Sequence, residues 1–128
     1  MQLTKERFAT LTREYSGFHD AVVSAVSVSI AQGVHRCSAK ILARRSDDSN
    51  LWDALEFEFH HIAAYRFEYG RRTYEVLSEG VQVFWTESGL LVVFDVADAS
   101  MTDAPDLEQN LAFVKAKSCS VSIEPHRV

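Results

Sequence analysis

Residues 55–69 read LEFEFHHIAAYRFEY, and this stretch has the clearest alternation of apolar and polar side chains in the chain. Its odd positions are mostly large and apolar and its even positions mostly charged, which is the period of a β-strand with one buried face. Fifteen extended residues would span about 50 Å, far more than an ordinary strand. Because Ile62 and Ala64 interrupt the alternation, we predict a bulge or break there, giving one bent strand or two.

The residues before this stretch predict a helix followed by a β-hairpin. Residues 3–15 can form a helix that Thr4 caps, and apolar residues recur on one of its faces: Phe8, Leu11 and Tyr15. From Ala21 the period changes to two, and Gln32 and Gly33 form the turn between two strands. On the first strand, one predicted face carries Val22, Val26, Val28 and Ile30 together with Ser24, and Ser27 and Ser29 lie on the other. The predicted inward face of the return strand, residues 34–44, carries Cys37, Ala39, Ile41 and Ala43.

The second half of the chain predicts further short strands at residues 73–77, 81–86, 90–96 and 113–123. A short later helix can begin at Asp103. Tight turns and the lack of a repeated βαβ unit predict an α+β fold, with a mainly antiparallel sheet that forms a half-open barrel or a sandwich and an N-terminal helix on it. The 128 residues, 47% of them hydrophobic, predict a single domain spanning 1–128.

The composition also predicts the cellular compartment. No apolar run approaches the roughly 20 residues that span a bilayer, and the N-terminal residues MQLTKERFATLTREY are too polar for a signal peptide. We therefore predict a cytoplasmic protein that has no membrane partner. Cys37 and Cys119 each lie on the apolar side of a predicted strand, so we expect two buried, reduced thiols.

Charge is distributed unevenly along the chain. Residues 46–114 carry 14 acidic and 3 basic side chains, although the formal charge of the whole chain is only −5. Within that region, residues 73–114 contain no lysine or arginine and eight acidic residues: Glu75, Glu79, Glu87, Asp95, Asp98, Asp103, Asp106 and Glu108. Such a segment attracts basic proteins and repels nucleic acid, so we predict a basic protein partner and no nucleic acid. The alternative is that these acids only keep a small domain soluble.

The predicted partner surface combines one tryptophan with seven of these acids: Trp52, Glu75, Glu79, Glu87, Asp98, Asp103, Asp106 and Glu108. Trp52 follows a polar loop and can anchor an interface from there. A homodimer that pairs through an exposed edge of the sheet is a further alternative.

The histidines predict neither a metal centre nor a cofactor. His60 and His61 are adjacent, and adjacent side chains on a strand point to opposite faces, so they cannot chelate one ion together. Glycine-rich phosphate loops and nucleophile motifs are also missing from the sequence. The alternative function is a small-molecule-binding or enzymatic domain, whose aromatic-lined pocket would hold His61, Tyr65 and Tyr69. A reachable His61 paired with a carboxylate would favour this alternative, whereas a filled core around it would count against it.

The junction between the predicted helix and the first strand reads GFHDA at residues 17–21. His19 and Asp20 can form an acid–base pair, but we favour a structural interpretation in which Phe18 fills the core and His19 or Asp20 binds backbone groups. Together with the hairpin and residues 55–59, this element resembles a group of small bacterial domains that open with F-H-D-[AS]. Genome context identifies some of those domains as immunity proteins of polymorphic toxin systems. The resemblance implies a cytosolic, non-catalytic, protein-binding domain rather than an enzyme, and it brings no catalytic residues.

Overall fold

The computed structural model describes residues 1–67, 76–77, 80–95 and 112–126. Along these residues run a helix and seven strands: α1 (Lys5–Glu14), β1 (Ala21–Ala31), β2 (Val34–Arg44), β3 (Trp52–Phe67), β4 (Val76–Leu77), β5 (Val81–Thr86), β6 (Gly89–Phe94) and β7 (Ala112–His126). The strands pair antiparallel in the order β4-β1-β2-β3-β7-β6-β5. This sheet forms a nearly closed barrel, which confirms the predicted α+β class with a half-open antiparallel barrel and an N-terminal helix.

Helix α1 begins after Thr4, as predicted. The backbone N–H of Arg7 donates to Thr4 Oγ1 at 3.2 Å, which satisfies one of the free donors at the start of the helix. Leu11 and Tyr15 are buried and Phe8 is half-buried, so the predicted apolar face is the one that packs on the sheet. Among the described residues, no helix has the length and apolar character that a membrane crossing requires.

The β1–β2 hairpin matches the prediction in its turn and in β2. Gln32 and Gly33 both have positive φ, at 51° and 77°, which is the conformation of a two-residue hairpin turn. The predicted inward residues of β2 are all buried: Cys37, Ala39, Ile41 and Ala43.

The predicted shared face of β1 is wrong at its start, whereas Val26, Val28 and Ile30 do share one face. A register shift between Val23 and Ala25 changes the phase of the strand, so Val23 rather than Val22 lies opposite the buried Ile41. Toward the hairpin tip, Val28 and Ile30 are 37% and 64% exposed, because that part of the hairpin extends beyond the core.

Strand β3 is continuous and has an irregularity between Ile62 and Ala64, which confirms the predicted position of the bulge. Its register with β7 shifts between Ile62 and Ala64, and His61 takes a left-handed backbone conformation with φ 54°. These two irregularities reverse the alternation, so Ile62 packs against the core while His61 is exposed. The predicted inward orientation of His61 and Tyr65 is therefore wrong, and Tyr65 is 42% exposed.

The core lies between the sheet and the segment formed by α1 and the turn at Ser16–Phe18. Phe18 and Phe57 are fully buried and meet edge to face, with ring centroids 6.4 Å apart. Cys37 and Cys119 are buried free thiols, as predicted. Burial raises the pKa of Cys37 to about 11 and that of Cys119 to about 12, so both remain uncharged thiols at neutral pH.

The N-terminal residues add to the sheet beside β7. The N–H of Leu3 donates to the Cys119 carbonyl and the N–H of Val121 to the Met1 carbonyl, both at 2.8 Å. The predicted strand at 73–77 is described only at β4, and the predicted short helix after Asp103 lies outside the described residues.

Candidate functional site

A groove opens where strand β3 separates from β2. The β2–β3 ladder ends at the pair Cys37–Phe59. Two residues further along β3, His61 has its positive φ, and the bulge between Ile62 and Ala64 follows at once, while β2 continues only in its hairpin with β1. The cavity left between these elements, β7 and the β5–β6 turn is open to solvent and has a volume of about 710 Å³.

Cationic and imidazole side chains line this cavity, which we call the basic groove and define by six residues: His35, Arg36, His60, His61, Lys115 and Lys117. They come from β2, β3 and β7, so the fold assembles them from distant parts of the chain. Arg36, Lys115 and Lys117 contribute three positive charges at neutral pH, and within the described part of the chain they form no ion pair. The His60 ring is positioned by Ser120, with Nε2 and Oγ 3.1 Å apart.

The wall at the β5–β6 turn adds hydroxyl groups and one neighbouring acid. Thr86 and Ser88 line the groove, and Glu87 between them is exposed. Of the described residues that line the cavity, none is a carboxylate. The arrangement can therefore hold an anion, while the acid–base pair expected of a catalytic His61 is not found among those lining residues.

The structure brings only part of the predicted pocket together. His61 is reachable in the basic groove, whereas Tyr65 lies beyond the bulge and does not line the cavity. Tyr69 lies outside the described residues.

The predicted partner surface is only partly described. Trp52 is half-buried, and the guanidinium carbon of Arg44 lies 4.8 Å from its ring centroid, in cation–π contact across the β2–β3 ladder. Glu87 is exposed in the β5–β6 turn, and the other acids of this surface lie outside the described residues: Glu75, Glu79, Asp98, Asp103, Asp106 and Glu108.

Trp52 and the β5–β6 turn are far apart on the sheet. Trp52 pairs with His126 of β7, whereas Leu90, next to that turn, pairs with Ala116. Ten residues of extended chain lie between the two pairing positions, roughly 33 Å. Trp52 and Glu87 therefore do not belong to one compact surface.

The predicted junction pair lies on the surface. His19 and Asp20 are both exposed, and the backbone N–H of Asp20 donates to the Leu77 carbonyl at 2.9 Å. Phe18 is fully buried, which confirms the structural interpretation of that residue. The backbone hydrogen bond of this element therefore holds the start of β1 against β4, and its phenylalanine fills part of the core.

The backbone at this junction is strained. Ser16, Gly17 and Phe18 follow one another with φ of 52°, 68° and 62°, a left-handed conformation that costs roughly 1–2 kcal/mol at each non-glycine residue. Gly80 packs directly on this turn, since a Cβ atom there would lie 2.1 Å from the Gly17 carbonyl oxygen. Burial of Phe18 and this backbone contact hold the turn in place.

A buried charged cluster joins α1 to β3. Asp53 is buried, and only 3% of the residue is exposed. It accepts two hydrogen bonds from Arg45, from Nε at 2.9 Å and from Nη2 at 3.0 Å, and a third from the Tyr15 hydroxyl at 2.7 Å. The cluster borders a second open cavity of about 890 Å³ between α1 and the β2–β3 connection.

The ionisation of this cluster follows from its contacts. Burial alone would raise the pKa of Asp53, but the hydrogen bonds from Arg45 and Tyr15 outweigh burial and hold that pKa below its ordinary value. Burial, and then the hydrogen bond to the carboxylate, raise the pKa of Tyr15 well above its ordinary value. Asp53 is therefore ionised and Tyr15 protonated at neutral pH, which fits a structural clamp.

This cluster was not predicted, although the sequence contains a signal for a buried charge at Asp53. Asp53 has the same parity as Leu55 and Phe57, so the alternation already placed a carboxylate on the buried face of β3. A charge at such a position requires a partner. Arg45 and Tyr15 could not be chosen from the sequence because the partner depends on how α1 docks.

The lowered pKa of Asp53 leads to a pH-dependent prediction. Asp53→Asn should reduce the free energy of unfolding by roughly 2–3 kcal/mol at pH 7. Because the folded pKa lies below the unfolded value of about 3.9, the carboxylate stabilises the fold above that pH, and its contribution is lost as pH falls through the folded pKa. Urea unfolding at several pH values from 7 down to 2 should thus find wild type and variant converging in acid.

The control for this prediction is Asp47→Asn, which removes an exposed acid from the neighbouring loop. We expect it to change stability by less than about 0.5 kcal/mol at any pH. A stability difference between wild type and Asp53→Asn that stays constant down to pH 2 would contradict the role of the ionised carboxylate.

Neither a metal site among the described residues nor a matching known protein indicates the function. Among the described residues, no group of three or more histidine, cysteine or acidic side chains is placed to hold a metal ion. Neither family models, nor curated proteins, nor solved structures match the chain. The function is therefore proposed from charge and from the geometry of the described residues.

Proposed function

We propose that this domain binds a basic protein partner without catalysing a reaction. The observation that carries the proposal is the segment 73–114, with eight acidic residues and no lysine or arginine. A surface of one sign speeds the encounter with an oppositely charged partner and disfavours acidic proteins. Glu87 of this segment is exposed in the β5–β6 turn, where a partner can reach it.

The resemblance to F-H-D-[AS] domains supports an immunity-type role as the particular form of this proposal. In that form the protein acts in the bacterial cytoplasm, where it binds a toxin and blocks it. Phe18 of the element is fully buried, and the N–H of Asp20 donates to the Leu77 carbonyl, so both residues have a structural role. We therefore assign recognition of the partner to the acidic segment.

The proposal is tested by affinity capture from a lysate of the source cells at about 50 mM and about 300 mM salt, a range over which exposed charges are increasingly screened. We expect a basic protein to be retained at the lower salt concentration and largely lost at the higher one. Retention of no basic protein, or equal retention at both salt concentrations, would contradict recognition through the acidic segment.

A second candidate function is small-molecule binding in the basic groove. It is supported by the exposed position of His61 and by a cavity of about 710 Å³, a volume typical of small-molecule sites. Because none of the described lining residues is a carboxylate, this candidate is a binding function and includes no acid–base catalysis by His61.

A further inference from the structure

The basic groove has a charge and a shape that select a class of ligand. We infer that it binds a small molecule that carries a phosphate group, an inference that rests on the second candidate function. Strand β3 lies between β2 and β7 in the sheet, so His61 stands between Arg36 on one side and Lys115 and Lys117 on the other. A ligand in the groove would meet positive charge from both walls.

The cations of the groove are available for an anion. Arg36, Lys115 and Lys117 are exposed, and in the described part of the chain no ion pair neutralises them. Cationic side chains that line a concave site raise the local concentration of anions and bind them with charge-assisted hydrogen bonds. Glu87 next to the wall opposes this attraction, so its charge should weaken the binding of an anion.

The donors of the groove suit a phosphate better than a carboxylate. A phosphate monoester has three terminal oxygens and between one and two negative charges at neutral pH, whereas a carboxylate has two oxygens and one charge. Arg36 offers a planar fork of donors and the lysines offer ammonium groups. Thr86 and Ser88, whose Oγ atoms are 3.5 Å apart, add hydroxyl donors at the β5–β6 turn. The groove therefore offers guanidinium, ammonium and hydroxyl donors to the oxygens of a phosphate.

The groove also has room and apolar surface for an organic group. Its volume of about 710 Å³ far exceeds that of a phosphate ion, and three apolar side chains of its lining reach the solvent: Val34, Ile62 and Ala63. Burial of an apolar group against such a wall contributes about 25 cal/mol for each Å² removed from water. An organic phosphate should therefore bind more tightly than inorganic phosphate.

Calorimetric titration at about 50 mM salt with phenyl phosphate, inorganic phosphate and phenol tests this inference. We expect phenyl phosphate to saturate one site and to bind at least about fivefold more tightly than inorganic phosphate, and phenol to show no saturation. Lys117→Ala and Arg36→Ala should each weaken the binding of phenyl phosphate by about tenfold, and Glu87→Gln should strengthen it by about twofold.

The matched control is Lys5→Ala, which removes an exposed cation of α1 outside the groove and should change the affinity by less than about twofold. An equal loss of affinity in Lys5→Ala and Lys117→Ala would overturn the inference, because binding would then follow net charge alone. Saturable binding of phenol without binding of phenyl phosphate would support small-molecule binding in the groove, but it would overturn the inference that the ligand carries a phosphate group. If none of the three probes saturates a site, both the inference and the second candidate function fail.

Discussion

Replacing Phe18 with alanine is expected to lower the free energy of unfolding by about 3–5 kcal/mol. The ring is fully buried and packs against Tyr15 and Phe57, with centroids 5.7 and 6.4 Å away. Removing it leaves a cavity between α1 and β3, two elements that the Tyr15–Asp53 hydrogen bond also holds at a fixed separation. Urea unfolding at 25 °C, followed by circular dichroism, measures this loss.

Phe8→Ala provides the matched control for Phe18. Phe8 stacks on the same ring with a centroid distance of 6.1 Å, but it is only half-buried, so we expect a loss of roughly 1–2 kcal/mol. If Phe18→Ala cost no more than Phe8→Ala, the phenylalanine of the F-H-D element would not be the core residue that the fold requires. The element would then need a different explanation.

Gly80→Ala is expected to destabilise the fold by roughly 2–4 kcal/mol. The new Cβ atom would lie 2.1 Å from the carbonyl oxygen of Gly17, and both atoms belong to backbone that rotation of a side chain cannot move. Gly80 also has φ 80°, a conformation that alanine adopts only with strain. The variant should therefore displace the left-handed turn at Ser16–Phe18 as well as lower the midpoint of thermal unfolding.

Gly33→Ala separates the two causes of that loss. Gly33 has nearly the same φ, 77°, but a Cβ atom there meets no atom within 4 Å. It should therefore lose only the conformational part, about 1 kcal/mol. Equal losses for the two variants would show that the close approach of Gly80 to the F-H-D element contributes nothing to stability.

The sequence predicted those elements that depend only on residues close together in the chain. The Thr4 cap and the spacing of Leu11 and Tyr15 are properties of one helix, and the alternation of β2 is a property of one strand. The irregularity of β3 was also predictable, because Ile62 and Ala64 break its pattern. The reversal of faces beyond it was not, since that depends on His61 adopting a positive φ, which the pattern of apolar residues does not encode.

The two candidate sites also differ in whether the sequence alone could predict them. The acidic segment could be read from the chain because its residues are contiguous, whereas the basic groove brings His35 of β2 together with Lys117 of β7. Those positions become neighbours only through the strand order and the separation of β2 from β3 after Phe59. Isolated surface lysines and arginines carry no such signal in a sequence.

The two charged features also make different demands on a ligand. The acidic segment favours a large basic partner whose attraction is screened by salt. The basic groove is concave and of small-molecule size, with cations on both walls. We therefore expect different substitutions to remove the two proposed binding functions.

The central claim is that the acidic segment recognises a basic protein, and two variants of equal net charge test it most directly. In the first variant the four late acids of the segment are neutralised: Asp98, Asp103 and Asp106 to Asn and Glu108 to Gln. In the second, four exposed glutamates elsewhere become glutamine: Glu6, Glu14, Glu56 and Glu124. Each variant loses four negative charges, which takes the formal charge from −5 to −1.

The deciding measurement is the dissociation constant of the captured basic protein for wild type and for both variants at about 50 mM salt. We predict that the first variant weakens binding by at least about tenfold and the second by no more than about twofold, because attraction between charges depends on their distance from the partner. Equal weakening in the two variants would contradict the claim, since it would assign the attraction to net charge and not to the acidic segment.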